Sequence, residues 1–139
     1  MKPSAKFESD RQTMNATGYI VFAHGSSIES ANQAVRSVAA EVSQRGGYPV
    51  VEPAFLEGGR PDLKEAVDAL AARGILRIVV IPYFLTLGLH LQRDLPRLVD
   101  ALKVSHPEIE IDVTPPLDTH PALIEALLDR AKESLCRRG

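Results

Sequence analysis

Apolar positions along this chain switch repeatedly between two spacings. Tyr19–Ala23 ("YIVFA") is unbroken and β-rich, and predicts a first strand. Ile28, Ala31, Val35, Val38 and Val42 then recur at helical spacing, predicting a helix that Gly46-Gly47 ends. The stretch "YPVVEPAFL" (48–56) returns to extended texture, and Pro49 and Pro53, which lack a ladder N–H, place it at a sheet edge. Leu63, Ala66, Val67, Leu70 and Ala71 follow Pro61 as a second helix, capped by Gly74. "ILRIVVIPYFL" (75–85) is the most apolar run and predicts a strand buried on both faces. Leu95, Leu98, Val99 and Leu102 carry a third helix whose start is obscured by Pro96. Ile109–Val113 is a short fourth strand, and Leu123, Ile124, Leu127, Leu128, Ala131 and Leu135 mark a last helix after Pro121.

Strand and helix therefore alternate four times. That order implies right-handed crossovers and a parallel sheet with helices on its faces. The expected fold is α/β, a single four-stranded parallel sheet in a flavodoxin-like or chelatase-like arrangement with strand order 2-1-3-4. Residues 1–17 are polar and read as a flexible N-terminal tail; residues 18–139 read as one domain.

Composition narrows the classes of partner. The 139 residues carry a net charge of −2, without the dense Lys/Arg that nucleic-acid binding needs. No apolar run reaches the ~18 residues of a membrane span, and the N-terminal stretch lacks the apolar segment of a signal peptide. A lone cysteine, Cys136, makes no intrachain disulfide, which suits a reducing cytoplasm.

In an open parallel sheet, ligands bind beyond the carboxyl ends of the strands, where strand order reverses. Strand 1 ends at His24 in "VFAHGSS". Strand 2 ends at Glu57 in "AFLE". Strand 3 leads through "PYFLTLGLH" to His90, on the loop after it. The order 2-1-3 brings these three to one rim. Two neutral imidazoles and a carboxylate suit borderline divalent ions such as Co²⁺, Fe²⁺, Ni²⁺ or Zn²⁺ better than Mg²⁺ or Ca²⁺. Each residue also has a plainer reading, as a turn or helix cap or a solvated loop residue. His120 follows strand 4 and is placed either to cap the last helix or to touch a ligand. His106 falls on the opposite rim and reads as structural. HExxH, CxxC, GxSxG and P-loop patterns are absent, so a metalloprotease, a structural zinc site, a serine hydrolase and a phosphate-binding domain have little support.

At "VFAHGSS", "EPAFLEGGRPDL", "IVVIPYFLTLGLHLQRDLP" and "PPLDTHPAL" the sequence resembles the CbiX/SirB family of small class II chelatases. The resemblance covers about Gly18 to Leu135. It implies insertion of a divalent metal, cobalt first and iron next, into sirohydrochlorin on the routes to cobalamin and siroheme. The family's metal-handling histidines map onto His24 and His90, and its acidic residue onto Glu57. No permanent cofactor is implied, since the metal is a substrate. Short forms of this length pair as homodimers. The anionic tetrapyrrole requires rim groups to meet it, and Ser26, Arg60, Arg93 and His120 are the candidates. Two stretches depart from the family's usual pattern: Ser27-Ile28-Glu29 after HGS, and "GGRP" after AFLE. A metal or tetrapyrrole carrier of the same fold, without turnover, is the competing reading.

Overall fold

A computed structural model describes residues 17–136. The strands are β1 (Thr17–Ala23), β2 (Val51–Phe55), β3 (Arg77–Pro82) and β4 (Glu110–Val113). The helices are α1 (Glu29–Gly46), α2 (Leu63–Ala72), α3 (Leu89–Ser105) and α4 (Pro121–Cys136), with a short 3-10 turn at Leu117–Thr119. All strand pairs are parallel and the order is β2-β1-β3-β4, as the alternating texture required. β2, with its two flanking and internal prolines, lies at the edge.

Side chains alternate across the strands and build two unequal cores. Ile20 and Phe22 of β1, Ile78 and Val80 of β3 and Ile111 of β4 pack against Leu63, Val67 and Leu70 of α2 and Leu95, Val99 and Leu102 of α3. On the other face Val21, Ala23 and Phe55 meet Val35 and Ala39 of α1, with half-buried Val38 and Val51 packed against them. Two helices therefore cover one face, and α1 covers the other.

Local chemistry accounts for the helix ends. The Asp62 carboxylate accepts the Glu65 N–H, and Glu65 reaches back to the Asp62 N–H, a capping box that starts α2. Gly47, with φ 69°, closes α1 in the left-handed conformation, and its N–H bonds the Ser43 carbonyl.

Several boundaries differ from the expectation. β1 begins at Thr17, one residue inside the segment assigned to the tail, and residues 1–16 lie outside the described residues. Strands 2 and 3 are shorter than their apolar runs: the regular strands end at Phe55 and Pro82 while apolar residues continue into the loops. α3 starts at Leu89, with Gly88 as its N-cap and Pro96 in its interior. Its first turns carry exposed Leu89, His90 and Arg93, so the core periodicity becomes visible only at Leu95. His90 thus stands in a helical turn, and the loop position expected for it is corrected.

Candidate active site

The parallel ladder between β1 and β2 continues past both strands. The Leu56 N–H donates to the Ala23 carbonyl and the Glu57 N–H to the His24 carbonyl, each at 2.9 Å. This backbone pairing puts His24 and Glu57 side by side at the carboxyl end of the sheet. Their side chains face each other, with His24 Nε2 3.6 Å from Glu57 Oε1.

Two glycines allow the loops to come this close. A Cβ on Gly25, whose φ is +89°, would sit 1.7 Å from the Glu57 carbonyl oxygen. A Cβ on Gly58, at φ +71°, would lie 2.9 Å from the Ser26 backbone. Side chains at either position collide with the opposite strand's loop.

Asn32 of α1 locks the arrangement. It is 1% exposed. Its Oδ1 accepts the Ser26 N–H (2.9 Å), and its Nδ2 donates to the carbonyls of Ser26 (2.8 Å) and Gly58 (2.9 Å). One buried amide thereby satisfies three backbone groups from the two loops that carry His24 and Glu57. Sequence reasoning missed it. The signal was a polar residue on the same helical stripe as Val35 and Ala39, where an apolar one is the rule.

His24 is oriented by its own loop and by Phe84. Nδ1 lies 3.3 Å from the Gly25 carbonyl oxygen, and the ring meets Phe84 edge-on with centroids 6.4 Å apart. With its proton on Nδ1 the ring meets that oxygen and offers the Nε2 lone pair to a cation; with its proton on Nε2 it donates to Glu57 instead. Two donors held ~2.1 Å from one ion at a tetrahedral angle stand ~3.4 Å apart. The observed 3.6 Å is close to that spacing and is equally the separation of a direct imidazole–carboxylate contact.

The other candidates are distributed around this pair. His90 is exposed on the first turn of α3, which begins at the same rim, but it is not joined to the pair: among the described residues no three His, Cys, Asp or Glu side chains form a metal-holding group. Ser26 spends its N–H on Asn32, and its Oγ accepts the Ile28 N–H at 3.0 Å. Arg60 is exposed and bonds Glu65 at 3.2 Å. Arg93 is exposed on α3. His120 Nδ1 accepts the Ala122 N–H at 3.0 Å, so it caps α4. His106 bonds Asp68 at 2.7 Å on the far rim, as its structural reading required. A further cation lies near the rim: Arg36 bonds Glu29 (2.6 Å) and the Arg60 carbonyl (3.3 Å), and its guanidinium stacks over Phe55 at 5.4 Å. Large apolar side chains flank the site, with Ile28 63%, Leu85 62% and Leu89 72% exposed.

The CbiX family model matches residues 18–134. The chain is 32% identical over 121 residues to a chloroplastic sirohydrochlorin ferrochelatase of Arabidopsis thaliana, covering 87% of this chain and 54% of that one. It is 31% identical to a sirohydrochlorin cobaltochelatase of Methanopyrus kandleri, covering 84% of this chain and 95% of that protein. This chain thus spans about half of the first relative and nearly all of the second. Among solved structures, a CbiX protein of Marinobacter aquaeolei described as one of cobalamin biosynthesis superposes with a TM-score of 0.78 at 28% identity, over 87% of this chain and 98% of that one. Motif order, sheet topology and a family match running from β1 into the last helix agree, and this chain belongs to the CbiX family.

Proposed function

We propose that this protein inserts a divalent metal, Co²⁺ first and Fe²⁺ next, into sirohydrochlorin. The observation that carries the reading is the His24–Glu57 pair, two metal-competent donors 3.6 Å apart on an open rim. The similarity to proteins named sirohydrochlorin chelatases supplies the substrate class.

Insertion needs an ion stripped of water, a macrocycle stripped of two pyrrole protons, and both held in register. His24 Nε2 replaces one water on the incoming ion. Glu57 stabilises the ion's charge and is the nearest carboxylate to take a departing proton. His90, on the first turn of α3, is the third catalytic group and approaches the ring from the β3 side of the rim. Exposed Ile28, Leu85 and Leu89 offer apolar surface to the flat ring, and Arg60, Arg93, Ser26 and His120 are the groups this reading assigns to its carboxylates. Holding ring and ion in one geometry is the larger part of the acceleration.

A pair of exposed donors holds an ion loosely. Loose holding suits handing the metal on and does not suit a carrier, which needs a closed donor set. The working unit is a homodimer, in keeping with a chain that spans nearly all of the Methanopyrus kandleri chelatase and half of the Arabidopsis one. Its single cysteine suits the cytoplasm or another reducing compartment.

The test is spectrophotometric. Purified protein, sirohydrochlorin and each of Co²⁺, Fe²⁺ and Ni²⁺ are mixed, and the macrocycle's absorption is followed with time. Catalysed conversion to the metallated spectrum is the expected result. Metal binding to the protein with no acceleration over the protein-free control would replace this reading with the carrier.

A further inference from the structure

Arg36 has no part in the His24–Glu57 pair, yet its partners tie it to the loop that carries Glu57. Its side chain is 31% exposed, against 44–84% for the other arginines in ion pairs among the described residues. Nη1 donates to Glu29 Oε1 at 2.6 Å and, more loosely, to Gln33 Oε1 at 3.4 Å. Nη2 donates to the Arg60 carbonyl at 3.3 Å, and Cζ lies over the Phe55 ring, 5.4 Å from its centroid. A planar fork can meet two acceptors and an aromatic face together; a lysine ammonium cannot.

The loop after β2 is closed at its base, where the Phe55 N–H donates to the Pro61 carbonyl at 2.9 Å. Glu57 stands at one end of it and Arg60 at the other. Helix α1 reaches this loop twice, from residues four apart and so on one face. Asn32 takes the Gly58 carbonyl and Arg36 takes the Arg60 carbonyl. Between them Gly59 sits tight, since a Cβ there would lie 3.0 Å from both Asn32 Nδ2 and Phe55 Cγ. Asn32 thus holds the Glu57 half of the loop, and Arg36 holds the Arg60 half. The Arg60 side chain is 84% exposed and gives Nη1 to Glu65 at 3.2 Å, leaving the rest of its fork open to solvent.

We propose that Arg36 is a positioning residue for substrate binding: it holds the Arg60 backbone so that the Arg60 guanidinium takes a carboxylate of the anionic macrocycle. The inference rests on the reading that sirohydrochlorin is the ligand, and it requires binding without requiring turnover. Arg36 acts through Arg60 and does not meet the ligand itself. Glu29 neutralises it and occupies one arm of its fork, so the uncommitted positive charge at this end of the loop is that of Arg60. A loop anchored in advance has less freedom to lose when the ligand arrives, and that saving appears as affinity.

A double-mutant cycle on the full chain tests this. The dissociation constant of metal-free sirohydrochlorin is measured by its fluorescence for the parent, Arg36→Met, Arg60→Met and the double variant. Methionine keeps an apolar stem over Phe55 and removes the fork. R60M should weaken binding about tenfold, the low end for a charge-assisted hydrogen bond. R36M should weaken it about fivefold by loosening the loop, and the double variant should bind no more weakly than R60M alone. A residue that only braces the fold would lower the melting temperature and leave the dissociation constant unchanged. One that touches the ligand would multiply the two losses to about fifty-fold. Either result, or an R60M protein that binds like the parent, would overturn the inference. If R36M fails to fold, R36K goes through the same cycle, with the same coupling to R60M expected and the same results overturning it. A parent that binds the macrocycle without accelerating insertion would end the chelatase reading and leave the cycle to decide Arg36. A parent that binds no sirohydrochlorin would overturn both.

Discussion

Asn32 shows how much of the site depends on one residue that touches no ligand. Its amide is the partner of two backbone groups of Ser26 and one of Gly58. Asn32→Ala strands those groups in a buried place, at about 1–3 kcal/mol for unsatisfied polar groups. The expected outcome is a lowered denaturation midpoint together with slower insertion, because the loops carrying His24 and Glu57 separate. Gly25→Ala acts on the same geometry from the backbone. Its Cβ would overlap the Glu57 carbonyl, so insertion should fall even where circular dichroism shows an intact sheet. The pairing of His24 with Glu57 at one rim was legible in the sequence, because strand ends are readable and the switch-point rule says where strand ends gather; the expected third member, His90, is not joined to them. What fixes them was not. Nothing in the spacing of "HGSSIESAN" shows that the asparagine turns back onto the loop before it.

Between elements, the far rim is tied together by charge. Asp68 of α2 receives Lys64 at 2.7 Å and His106, the C-cap of α3, at 2.7 Å. The hydrogen bond from Lys64, followed by that from His106, holds the Asp68 carboxyl below its ordinary value. A carboxylate depressed in the folded state adds stability that is present above its unfolded pKa and lost as pH falls through its folded one. Asp68→Asn should therefore lower the melting temperature slightly at neutral pH and have no effect in strong acid. Solvent screens a pair this exposed, so the loss is at most about 1 kcal/mol. A melting-temperature profile of parent and variant against pH checks the sign: a gap that widens on acidification contradicts it. Helix ends read well from sequence where chemistry marks them, as at Asp62 and Gly47. They read poorly at α3. Its first turns face the rim, and the exposed Leu89, His90 and Arg93 carry no core periodicity to be seen.

For the whole molecule, the sheet order and the family followed from alternation and motif order. The uneven cover of the sheet did not, since periodicity reports that a helix has an apolar stripe and not what the stripe lies against. The last helix has such a stripe and buries none of it within one chain. If the proposed homodimer is the working unit, dilution below the dissociation constant should lower the melting temperature, because pairing is linked to folding. Constant melting over a hundredfold dilution, in a protein that light scattering shows to dissociate across that range, would contradict it. The central claim concerns the rim itself: His24 and Glu57 jointly meet the metal on its way into the ring. The rate of Co²⁺ insertion into sirohydrochlorin, measured for the parent, His24→Ala and Glu57→Gln at equal protein and metal, tests it most directly. Each variant should lose at least about 100-fold, the lower range for a removed catalytic acid–base group, while keeping the parent's fold. A folded variant of either kind that inserts metal at the parent's rate would contradict the account.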